Sequence, residues 1–145
     1  MIKSFVKSIQ LNPENTEAIL QLGLSHELCE EYDMALMIYQ KIIENNPDYI
    51  KAYHHKSSLL MKLERYKEAS EVLNKLIKLD SKNIEAFVGI GICFDKLGKK
   101  SYAQRYYRKF LTNQPTSNKV DFVKNRMKKI RDEQNRNIQV LRFVL

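Results

Sequence analysis

The side chains equipped for metal binding or nucleophilic chemistry are few and poorly spaced. The three histidines are His26, His54 and His55. Adjacent helical residues diverge by about 100°, so His54 and His55 do not grip one metal as a pair at i and i+4 would. His26 falls in register with Leu60 and Phe94, which predicts a packed, hydrogen-bonded ring. Cys29 and Cys93 lie in distant parts of the chain, without the close spacing of a redox or zinc motif, and are expected to be reduced structural thiols. The acidic run Glu27, Glu30, Glu31 and Asp33 reads as a solvated charge cluster. There is no glycine-rich phosphate loop and no nucleophile elbow. The sequence therefore predicts no enzyme, no metal and no cofactor.

The elements that would carry these residues are helical. The chain has 145 residues, 43% hydrophobic and 29% charged, with 4 glycines and 3 prolines. This composition suits a folded helical chain. The longest charge-free apolar stretch, residues 86–94, is much shorter than the roughly 18 residues that a spanning helix requires. The amino terminus disperses Lys3 and Lys7 among apolar residues and does not read as a secretion signal. A reducing, cytoplasmic location is expected, with the nucleus open to a eukaryotic chain.

The prolines Pro13, Pro47 and Pro115 keep a common interval, since 47 − 13 = 34 and 115 − 47 is twice that. A fixed period of this kind marks stacked repeats. Ala35, Ala69 and Ala103 recur in the same phase, followed four residues on by Tyr39, Leu73 and Tyr107. Ile19, Tyr53 and Phe87 share another register, with Gly23, Ser57 and Gly91 four residues later. Small beside large, one turn apart, is what close helix packing demands.

On these residues the chain resembles the tetratricopeptide repeat (TPR) family, whose unit is a helix-turn-helix of the same period. The resemblance implies an all-α fold, a right-handed α-solenoid with a C-terminal capping helix. The units would occupy residues 14–47, 48–81 and 82–115, preceded at 1–13 by the second helix of a partial unit. Helices are expected over 15–28, 32–45, 49–62, 66–79, 83–96 and 100–113. Ile2, Phe5, Val6 and Ile9 form a stripe that a lone helix would not bury, so this segment either caps the array or marks a chain cut from a longer protein, the second being the favoured reading. Lys56, Ser57 and Ser81 depart from the family pattern in the second unit, and Lys100 stands where Tyr32 and Tyr66 hold the aromatic.

Residues 116–145 are expected to form the basic capping helix, with Val123, Met127, Ile130 and Gln134 at helical spacing, and an apolar tail. Residues 138–145 read either as a helix end or as an extended strand.

By the resemblance, the first helix of each unit lines a concave groove. It would present Leu20, Gln21, Leu24 and Glu27, then Lys51, His54, His55, Ser58 and Met61, then Glu85, Val88, Gly89, Ile92 and Asp95. The cationic clamp with which some relatives hold acidic chaperone tails is missing, since its positions carry Leu20, Leu24, His55, Glu85 and Gly89. The expected function is a non-enzymatic protein-protein interaction scaffold that holds a peptide or amphipathic helix through apolar contacts.

Two rival readings accompany it. Residues 96–145 carry 14 Lys or Arg against 3 Asp or Glu, whereas residues 1–95 carry 11 against 14. Lys124, Lys128, Lys129 and Arg131 therefore read first as a solvated basic face, second as candidates for holding an acidic protein and third as candidates for nucleic acid. Phe143, Val144 and Leu145 end the chain on an apolar cluster suited to self-association into a homo-oligomer.

Overall fold

The computed structural model describes residues 13–113 and 116–145. The expectations for residues 1–12 and Pro115 lie outside them. Seven helices and no strand occur among the described residues: α1 Pro13–Leu28, α2 Tyr32–Asn45, α3 Ile50–Lys62, α4 Tyr66–Leu79, α5 Ile84–Lys96, α6 Lys100–Thr112 and α7 Val120–Val144. The chain divides between Ser81 and Lys82 into two compact units.

In the first unit α1 packs on α2, α2 on α3 and α3 on α4. Its core joins Ile19 and Leu20 of α1 to Ala35, Ile38, Tyr39 and Ile42 of α2 and Ala52 and Leu59 of α3. In the second unit α6 packs on both α5 and α7. Ile90, Cys93, Ala103, Tyr107, Phe110, Val123 and Ile130 are all fully buried. The three phased alanines, Ala35, Ala69 and Ala103, are likewise fully buried, which lets the helix pairs approach closely.

Each pair is joined by the same turn. Glu30, Glu64 and Gly98, at equivalent positions of successive repeats, are the described residues with positive φ, at 60°, 59° and 79°. Glu30 N–H donates to the Glu27 carbonyl and Glu31 N–H to that of His26. Glu64 and Arg65 repeat this with Met61 and Leu60, and Gly98 and Lys99 with Asp95 and Phe94. These crossed bonds form a Schellman motif, which satisfies the last carbonyls of one helix while turning the chain into the next.

Helix starts vary more. Asn83 Oδ1 accepts from Ala86 N–H at 3.2 Å, an ordinary N-cap. Arg65 precedes α4 and instead forks onto Glu68 of the first turn, with Nε–Oε1 at 2.9 Å and Nη2–Oε2 at 2.7 Å. The terminal segment is helical to Val144, which resolves the helix-or-strand alternative. Its first half buries Val123, Met127 and Ile130, while Ile138, Leu141, Phe143, Val144 and Leu145 are exposed.

Candidate functional site

The repeat builds a phenol–carboxylate pair twice. Tyr39 Oη donates to Glu27 Oε2 at 2.8 Å, and Tyr107 Oη donates to Asp95 Oδ2 at 3.2 Å. Burial, reinforced by the neighbouring carboxylate, raises both phenol pKa values. Glu27 is therefore more than part of a solvated charge run. The signal was in the sequence, because Glu27 and Asp95 are offset by the same two repeat periods as Tyr39 and Tyr107.

Asp95 also accepts from Lys100 Nζ at 2.5 Å and from Arg126 Nη2 at 2.8 Å, with a second contact from Arg126 Nε. Its side chain is only 7% exposed. Burial alone would raise the carboxyl, but hydrogen bonds and charge from Arg126 and Lys100 prevail and hold it at about 2. Lys100 thus compensates for the aromatic it replaces: its ammonium bridges the turn to α5, and Arg126 ties α7 to the same carboxylate.

The surface predicted from the first helices is reshaped by burial. Leu20 and Val88 are 1% and 0% exposed. Both are correctly placed on α1 and α5, but they are core residues and offer nothing to a ligand. Their apolar neighbours on the same helices, Leu24 and Ile92, are only partly buried. Gln21, Lys51 and Ser58 are exposed and His54 and His55 half-buried. Lys51 Nζ lies 3.2 Å from Glu17 Oε2, which also accepts from Tyr49 Oη at 2.5 Å. The His55 ring stacks on Tyr39, with centroids 5.9 Å apart. Asp95 is committed to its ion pairs and is unavailable as a free acceptor.

Each unit has an open cleft beside these residues. In the first, Gln21, Leu24, Glu27, Leu28, Glu30, Tyr32 and Lys62 surround about 420 Å³. Leu28 is 86% exposed, and the Lys62 ammonium sits over the Tyr32 ring at 5.1 Å. In the second, Ile92, Lys96, Phe122 and Arg126 help enclose about 400 Å³. Leu28 and Phe122 escaped the sequence reading. For Leu28 a signal existed, since the equivalent positions one and two repeats on carry Lys62 and Lys96.

The remaining predicted residues are distributed differently. His26 Nδ1 lies 3.1 Å from Glu31 Oε2, a hydrogen-bonded ring as expected. Cys93 is buried, which raises its thiol to about 12. Cys29 is exposed, so the structural role expected of it does not hold. Lys124, Lys128, Lys129 and Arg131 are exposed along α7, as are Phe143, Val144 and Leu145 at its end. No helix among the described residues is long and apolar enough to cross a membrane.

Comparison with known proteins adds family context to this geometry. The family model described as Coatomer epsilon subunit matches residues 13–140. A TPR repeat-containing protein of Methanocaldococcus jannaschii is 30% identical over 112 residues, covering 76% of this chain and 19% of the relative. The general transcriptional corepressor trfA of Dictyostelium discoideum is 30% identical over 101 residues, covering 70% of this chain and 7% of the relative. The chain thus spans less than a fifth of the length of either. Among solved structures, the first TPR of Spaghetti (RPAP3) bound to HSP90 peptide SRMEEVD aligns with a TM-score of 0.74 at 18% identity, covering 87% of this chain and 98% of that one.

Proposed function

Because the chain belongs to the Coatomer epsilon subunit family and its helix pairs are tetratricopeptide repeats, we propose that it is a non-catalytic scaffold that receives a segment of another polypeptide. The observation that carries this reading is the first-unit cleft, where partly buried Leu24 and strongly exposed Leu28 lie beside Tyr32 and the Lys62 ammonium. Apolar side chains supply the attraction, at about 1.5 to 3 kcal/mol for each ligand side chain fully buried, before ordering costs. Gln21, Glu27, Glu30 and Lys62 supply polar groups around them.

The similar TPR domain bound to an HSP90 peptide supports peptide capture as the mode. The lack of a cationic clamp at Leu20, Leu24, His55, Glu85 and Gly89 favours an amphipathic helix or apolar peptide over an acidic tail. The second unit has a cleft of its own, with Ile92 and Phe122 among its lining residues.

A displayed peptide library selected on the whole chain provides the probe. Selected peptides should shift the amide resonances of Gln21, Leu24 and Leu28, and Leu28→Glu, at a strongly exposed position, should weaken their binding about tenfold or more with little change in melting temperature. Selected peptides that bind Leu28→Glu and the parent equally would defeat the proposal. Self-association is the second reading, favoured by Phe143 at 95% and Leu145 at 102% exposure.

A further inference from the structure

The second unit has a third cleft, of about 320 Å³, between α6 and α7 and apart from the surfaces above. Ser101, Gln104 and Arg108 line it from α6, at i, i+3 and i+7, and Arg131 and Gln134 from α7, at i and i+3. Every lining side chain can donate a hydrogen bond, and none is a carboxylate. Asp132 and Glu133 adjoin Arg131 in sequence but do not line the cleft. Among the described residues neither Arg108 nor Arg131 makes an ion pair.

Gln104 provides an independent pointer. Its residue surface is 9% exposed, yet its amide has no partner among the described residues. The only deeply buried side-chain polar atom without a partner there is Asn46 Nδ2. Gln104 presents its amide at the cleft, where together with two guanidiniums that make no ion pair it offers directed donors to an acceptor-rich guest.

We propose that this cleft binds one phosphate monoester dianion, either free or carried on a side chain of a partner polypeptide. A monoester presents three terminal oxygens and a charge of about −1.5 to −2 at neutral pH, matching two guanidiniums and the surrounding neutral donors. A nucleic-acid diester has one charge and two free oxygens per phosphate, and its affinity comes from many phosphates in a row. Lys124 and Lys128 are outside this cleft, so the site is narrower than the basic surface expected from the sequence alone.

The test uses the whole chain, titrated calorimetrically with inorganic phosphate, a phosphoserine peptide, the same peptide unphosphorylated, and a uridine oligonucleotide. Saturable binding of phosphate or phosphopeptide, with none of the unphosphorylated peptide, is expected. Tighter binding of phosphopeptide identifies the partner source, and equal binding the free anion. Arg108→Gln with Arg131→Gln, both at exposed positions, should weaken the phosphate probes about tenfold or more. Gln104→Leu should also weaken them, whereas Lys124→Gln with Lys128→Gln should stay within about twofold. Helix content and melting temperature confirm that each variant is folded. The absence of saturable binding, an equal loss in the two lysine substitutions, or a preference for the oligonucleotide with a salt slope of many phosphates would overturn the proposal.

Discussion

A Cβ added at Gly91 would stand 2.6 Å from the Tyr107 ring, and one at Gly23 would stand 2.6 Å from the Tyr39 ring. In the middle unit the same two positions hold Ser57 and Leu73, both buried, so the glycine accompanies the aromatic and the larger residue accompanies leucine. The constraint belongs to the pair. Gly91→Ala should cost about 1 to 3 kcal/mol through overpacking. In urea denaturation, adding Tyr107→Leu to it should give less destabilisation than the sum of the two single variants. Strict additivity would show that the ring has room to move. The glycines and tyrosines were visible in the sequence as phased small and large residues. The carboxylate that receives each tyrosine hydroxyl was harder to see, because Glu27 and Asp95 differ in type and lie twelve residues before their partners.

Helix bounds were legible to within two residues because the repeat phase fixes them independently of local propensity. The turns were less so, since two of the three left-handed positions carry glutamate. An L-residue in that region costs about 1 to 2 kcal/mol, which glycine avoids. Glu64→Gly should therefore raise stability by about 0.5 to 1 kcal/mol, offset in part by the freer unfolded chain, and Gly98→Ala should lower it by a similar amount. Urea midpoints of the two variants read the effect directly. A loss of stability in Glu64→Gly would mean that the glutamate side chain makes a compensating contact. Leu20 and Val88 lie on the expected helices but face the core. Periodicity assigns a residue to a helix face, but that face is shared between core and solvent, and side chains at its edge fall on either side.

For the molecule as a whole, acid is the most informative perturbation. The +8 net charge grows as carboxylates protonate, and self-repulsion rises with it. Asp95 contributes a specific part. Its pKa falls from 3.8 to about 2 on folding, so its stabilisation is complete above about pH 5 and is lost as pH falls towards 2, amounting to about 2 kcal/mol. Asp95→Asn should be less stable at pH 7, because Arg126 and Lys100 lose their counter-charge, and its stability should change less between pH 5 and pH 2. Urea titrations followed by circular dichroism across that range distinguish the two curves, and parallel curves would remove Asp95 from the account. The sequence's charge asymmetry foretold a basic end but not its tie to the carboxylate just before it, since Asp95 and Arg126 are 31 residues apart, a separation that the repeat period does not mark. The contrast between the two thiols has a practical side. Cys29 follows Leu28 at the rim of the first-unit cleft while Cys93 is shut away, so a maleimide dye has a single accessible attachment point, placed where a docking peptide would quench or brighten its emission.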